Sequence, residues 1–94
     1  MVNELILDKK TTLKKIEVKR AEIIAANQLL KHKENQILLN TDFKELKLTN
    51  EKMRNAYIHE QLSLEKNGLE WLKYDLTVLE NELDLINTLL LQGE

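Results

Sequence analysis

Two histidines, His32 and His59, are the residues best suited to hold a metal or move a proton. A chain folding back about residue 45 brings them to the same height, with Glu34 and Glu60 close by as candidate ligands. Zinc sites, however, draw on closely spaced ligand pairs, and here there is no HxxxH, no HExxH and no cysteine. His32 also falls on the outward side of the helical repeat described below. The expectation is therefore two solvated histidines and no metal. Carboxylates are plentiful, but an acid or base catalyst needs a displaced pKa and an enclosed pocket, and a thin helical chain offers neither. Glu65 is the one acid within a leucine repeat, read as a rim charge or as the partner of a lysine across the seam. No catalytic residue and no cofactor site is assigned, and no enzymatic activity is expected.

Two further clusters could bind something. Lys9, Lys10, Lys14, Lys15, Lys19 and Arg20 form a basic stretch interrupted only by Glu17. These side chains spread over more than one helix face, so some can reach nucleic-acid phosphates. No aromatic is interleaved for base stacking, and the whole chain carries a net charge of −2. The second cluster is a column seven residues apart: Tyr57, Leu64, Trp71, Val78 and Leu85. Trp and Tyr are enriched where proteins bind proteins, which makes this column a candidate interface.

The elements that carry these residues follow from composition and spacing. The chain has 94 residues, no Pro, no Cys and two Gly. That length is one small domain. It excludes a multidomain enzyme, a disulfide-stapled module, a thiol nucleophile and a glycine-rich phosphate loop. An all-β fold needs frequent turn residues, which are missing. With 43% apolar and 32% charged residues the balance is that of a folded soluble chain. The longest apolar run, Leu89-Leu90-Leu91, is far below the ~20 residues of a membrane span. No export signal is recognised at the start, so a cytoplasmic location is expected.

A first helix is predicted over about 3–39. One heptad column reads Val2, Lys9, Ile16, Ile23, Leu30, Ile37, and a companion reads Ile6, Leu13, Arg20, Asn27, Glu34. Asn40-Thr41-Asp42 breaks the pattern with side chains that bond local backbone. Phe43, Leu46 and Leu48 then suit a plug or a single helical turn. Thr49 is read as the N-cap of a second helix over about 50–91. Its seam is strong: Leu62, Leu69, Leu76, Leu83 and Leu90 beside Ile58, Glu65, Leu72, Leu79 and Ile86. The Tyr57–Leu85 column lies about 160° round the helix from the leucines, so the apolar arc wants two partners. Gly68 is read as mid-helix, leaving room for a close neighbour beside Trp71.

A short connection makes the two helices antiparallel. Residues 1–40 hold 8 basic and 5 acidic side chains, and residues 41–94 hold 6 and 11, so the halves attract in that orientation. The expected architecture is an all-α antiparallel two-helix hairpin, a single domain over 1–94. Such a hairpin cannot cover both seams of its second helix. Pairing of two copies into a four-helix bundle is expected, with Arg20, Asn27 and Glu34 as polar register-setting residues. The expected protein interface is the column Tyr57, Leu64, Trp71, Val78, Leu85 together with Ile58, Leu62, Leu69, Leu72, Leu76, Leu79 and Leu83.

The segment Asn40-Thr41-Asp42-Phe43-Lys44-Glu45-Leu46, followed by Thr49-Asn50-Glu51-Lys52-Met53-Arg54-Asn55-Ala56-Tyr57-Ile58, resembles small helical accessory proteins of phages and prophages of low-GC Gram-positive bacteria. In these a long helix precedes a TDF or TDW turn, an NEKxRxAY helix start and a leucine-rich helix. The resemblance covers about 20 residues in motif and the chain in layout. It implies a two-helix, coiled-coil-like protein of unassigned activity, placed among genes of DNA replication or recombination. The expected function is a non-enzymatic protein–protein interaction module that docks a host or phage partner. The alternative is a nucleic-acid-binding accessory protein using Lys9 to Arg20.

Overall fold

The computed structural model describes residues 2–93. It is all-helical, with no strand among the described residues, and has three helices. Helix α1 spans Val2–Asn40, α2 spans Glu51–Gln61 and α3 spans Ser63–Gln92. Helices α1 and α3 lie side by side and antiparallel: Val2 meets Gly93 at one end, and Lys33 meets Glu65 toward the other. The molecule is a rod of 67 × 18 × 15 Å.

The link from α1 to α2 is tightly built. Residues Asp42–Lys47 form the single helical turn anticipated around Phe43. The Asp42 carboxylate accepts from the Glu45 N–H (3.0 Å), which caps the turn at its start. At its end the Leu48 N–H reaches the Phe43 carbonyl (2.8 Å) and the Lys47 N–H reaches the Lys44 carbonyl (3.1 Å). Those two bonds define a Schellman closure, whose penultimate residue must be left-handed. Lys47 takes that conformation with φ of 60°, where glycine is the usual choice. Helix α2 is capped by Asn50, not Thr49. Asn50 has extended torsions, and its side-chain oxygen accepts from the Met53 N–H at 2.8 Å. Asn caps better than Thr and stands one position nearer the first helical N–H groups.

The single second helix expected over 50–91 is two helices. The interruption is at Leu62, whose torsions (φ −109°, ψ 15°) lie in the bridge region. The hydrogen-bond ladder still crosses it, from Leu62 to Ile58 (3.1 Å) and from Lys66 to Leu62 (2.9 Å). The seven-residue phase also crosses it, since Ile58, Leu62 and Leu69 are all buried. A break that preserves both ladder and phase leaves no mark in the spacing of apolar residues. At Gly68 the helix is continuous, as expected. A Cβ added there would meet nothing within 4 Å, so no neighbour approaches closely.

The core is one seam. From α2, α3 and the Leu62 junction between them come Ile58, Leu62, Glu65, Leu69, Leu72, Leu76, Leu79, Leu83, Ile86 and Leu90, all buried or half-buried. They are the two columns read from the sequence. On α1 only one column matches. Lys9, Ile16, Ile23, Leu30 and Ile37 face α3, but their companions are Leu5, Thr12, Lys19, Ala26 and Lys33. The predicted companions Ile6, Leu13, Arg20 and Asn27 are exposed, and only Glu34 is half-covered. Both columns flank the same first column and hold two apolar residues each, Ile6 and Leu13 against Leu5 and Ala26, so apolar content does not choose between them. Lysine stems are long enough to lie over leucines while their ammonium groups reach out, and that lets α1 pack with its other flank.

Candidate interaction surface

The seam decides which apolar face of α3 remains free. Leu62, Leu69, Leu72, Leu76, Leu79 and Leu83, with Ile58 of α2, are spent on α1. The second column is not: Leu64 is 83% exposed, Trp71 67%, Leu85 60% and Val78 38%. Tyr57 is the exception in that column. It is half-buried, with its ring edge-on to Phe43 at 6.1 Å between centroids, and so fastens the linking turn to α2. Tyr74, which the column did not include, joins the exposed set. It packs edge-on against Trp71 at 6.0 Å and is 60% exposed. The spacing could have found it, since 71 and 74 are neighbours on a helix.

The outward column therefore runs along α3 from Leu64 to Leu85, with an aromatic pair near its middle. On the same flank of the rod, α1 presents Thr11, Val18, Ala25 and His32, all exposed. A shallow cleft of about 300 Å³ between the helices is lined by Thr11, Lys15, Glu82 and Leu85, which places the two columns on one face. A neighbouring groove of about 460 Å³ runs past Lys14, Lys15, Val18 and Leu79.

The ion pairs give the register. Lys33 binds Glu65 at 3.1 Å, Lys19 approaches Asp75 at 3.9 Å, and Arg20 approaches Glu80 at 4.0 Å. Their midpoints are residues 49, 47 and 50, so the chain folds back about residue 48 or 49, not 45. His32 is then level with residues near 65, about 9 Å along the axis from His59 at 1.5 Å per residue. His59 instead accepts from the Lys66 ammonium through Nδ1 at 3.0 Å, which requires the tautomer with hydrogen on Nε2. No group of three or more potential metal ligands occurs among the described residues.

Of the two readings of Glu65, a rim charge or the partner of a lysine across the seam, the ion pair with Lys33 matches the second. The Glu65 carboxyl is held below the ordinary value of 4.5, first by a hydrogen bond from its own backbone N–H in the first turn of α3. The Lys33 ammonium adds to that effect.

The basic stretch is divided. Lys19 pairs with Glu22 and Asp75, and Arg20 with Glu80, so these two are taken up by acidic neighbours. Lys9 is half-buried in the seam. Lys10, Lys14 and Lys15 are exposed and form no ion pair among the described residues. No described helix is long and apolar enough to cross a membrane. Comparison with protein families, with curated proteins and with solved structures finds no match to this chain.

Proposed function

We propose that this protein is a non-enzymatic interaction module that docks helices of other chains onto the outward face of α3. The observation behind the proposal is a division of labour on one helix. The leucine seam is covered by α1, while Leu64, Trp71, Val78 and Leu85 are left in water. Scattered exposed leucines are common, but four apolar residues at seven-residue spacing form a stripe of the kind that receives a helix. The α1–α3 pair acts as a coiled-coil-like antiparallel hairpin, and a second helical pair on the stripe completes a four-helix bundle. The resemblance to phage accessory proteins makes a DNA-processing or host protein in the cytoplasm the natural foreign partner.

The test is retention of partners from a host extract by the wild type and by Trp71→Ala. Docking through an apolar face persists in moderate salt and is lost in the variant. Unchanged retention by Trp71→Ala sinks the assignment of the face.

A second reading is favoured by the unpaired cations. Lys10, Lys14 and Lys15 are exposed and have no carboxylate partner among the described residues, which supports a reading in which they contact phosphates. Nucleic-acid binding through them weakens steeply as salt rises. Joint Lys14→Glu and Lys15→Glu substitution abolishes it and leaves Trp71-dependent docking intact.

A further inference from the structure

We infer that the outward face is covered first by a second copy of this chain. The copies lie parallel about a twofold axis along the rod, with α3 of each on α1 of the other. The inference rests on the docking role of the Leu64–Leu85 stripe, and the register of the chain carries it.

Thr11, Val18, Ala25 and His32 of α1 stand level with Leu85, Val78, Trp71 and Leu64 of α3. Each pair is centred on residue 48, where the ion pairs place the fold-back. A twofold axis along the rod preserves height. Each rung of one copy then meets the same rung of the other with its two ends exchanged, as a self-complementary interface requires. The exchange sets a large side chain against a small one at two of the four rungs; the others pair Val78 with Val18 and Leu64 with His32. Trp71 comes over Ala25, with Ala21 one turn away and both alanines exposed. Leu85 comes over Thr11, and Val78 over Val18. A bulky ring over a methyl side chain lets the two helices approach closely.

Charge agrees with the same arrangement. Lys14 and Lys15 of α1 and Glu82 of α3 form no ion pair within the chain, among the described residues. Lys15 and Glu82 stand at one height on the same cleft. Exchange about the axis sets Lys15 of one copy against Glu82 of the other, twice at the same height, once on each side of the axis. The face is also large enough. A side 67 Å long and 18 Å wide projects to more than the roughly 800 Å² per partner of a standard interface.

The chain has no cysteine, so introduced ones report without background. Val18→Cys and Val78→Cys are prepared as separate proteins; both positions are exposed, so both variants fold. Under mild oxidation the mixture is expected to yield a disulfide-linked species of twice the 11.1 kDa chain mass, while either variant alone remains mostly unlinked. Strong crosslinking of either variant alone, or none in the mixture, overturns the arrangement. Light scattering gives the companion measurement: twice the chain mass for wild type, and the single-chain mass for Trp71→Ala and for Ala25→Lys. A wild type of single-chain mass at every concentration also overturns the second-copy inference. The docking role of the stripe is judged separately, by the Trp71→Ala retention experiment.

Discussion

Ten positions of α1 face ten positions of α2 and α3 across the seam, and the two sets are unequal. Nine of the ten on the α2–α3 side are apolar; on α1 only six are, with Lys9, Thr12, Lys19 and Lys33 taking the others. The deeply buried side chains are correspondingly few: Ile16 and Leu62 at 3% exposure, then Leu69, Thr12 and Ile58. A helix this polar on its inner side cannot absorb all the apolar surface of α3. It covers the leucine seam with lysine stems as well as isoleucines, and leaves the Leu64–Leu85 stripe outside. Exposed apolar residues occur on α1 as well, Ile6, Leu13 and Ile24 among them, but on α3 they fall at seven-residue spacing beside a filled seam. The fold-holding face and the free face of that helix are both mainly apolar and differ in what lies opposite.

Substitutions on the two faces of α3 should therefore separate sharply. Leu69→Ala, in the seam, is expected to cost about 2–4 kcal/mol in urea unfolding. Leu64→Ala, five residues earlier on the free face, should stay within about 0.5 kcal/mol in the monomer. Similar losses for both would mean that the faces are not divided as described. Between these positions, Gly68→Ala should stabilise the chain by about 1 kcal/mol, because the helix is regular there and the added methyl meets nothing. A lower thermal midpoint would instead reveal a neighbour against that point.

A smaller gain is expected at the linking turn. Lys47→Gly relieves the left-handed strain, offset in part by the greater freedom of glycine when unfolded, for a net gain of about 0.5 kcal/mol in chemical unfolding. The last effect concerns the one charged pair of the seam. Because the Glu65 carboxyl is held below 4.5 in the folded chain, folding favours its ionised form. That stabilisation is complete above the unfolded value and disappears as pH falls from 4.5 through the lowered folded value. Across this acid range the wild type should lose more urea resistance than Glu65→Gln. Equal losses would show that the pairing with Lys33 contributes nothing to folding.

Much of this was legible in the residues. Leucines seven apart can only line up on a helix, so the α3 seam follows from periodicity. Glu65 stood out because it was the one acid in that seam, and the outward stripe because its spacing matched. The companion column of α1 was not legible. Ile6 and Leu13 on one flank are matched by Leu5 and Ala26 on the other, and nothing in spacing alone says that lysine stems will be chosen to cover leucines. The fold-back point was likewise misplaced by about three residues, since loop composition marks a turn but not where facing side chains interlock.

The helical class, the antiparallel sense and the existence of two apolar faces on α3 follow from local periodicity and charge distribution, which are properties of the chain alone. Packing of one helix on another settles the rest: which flank of α1 turns inward, where the helices fall into register, and which face of α3 stays wet. Those outcomes depend on side chains far apart in the chain meeting one another, which the apolar content of either helix alone does not fix.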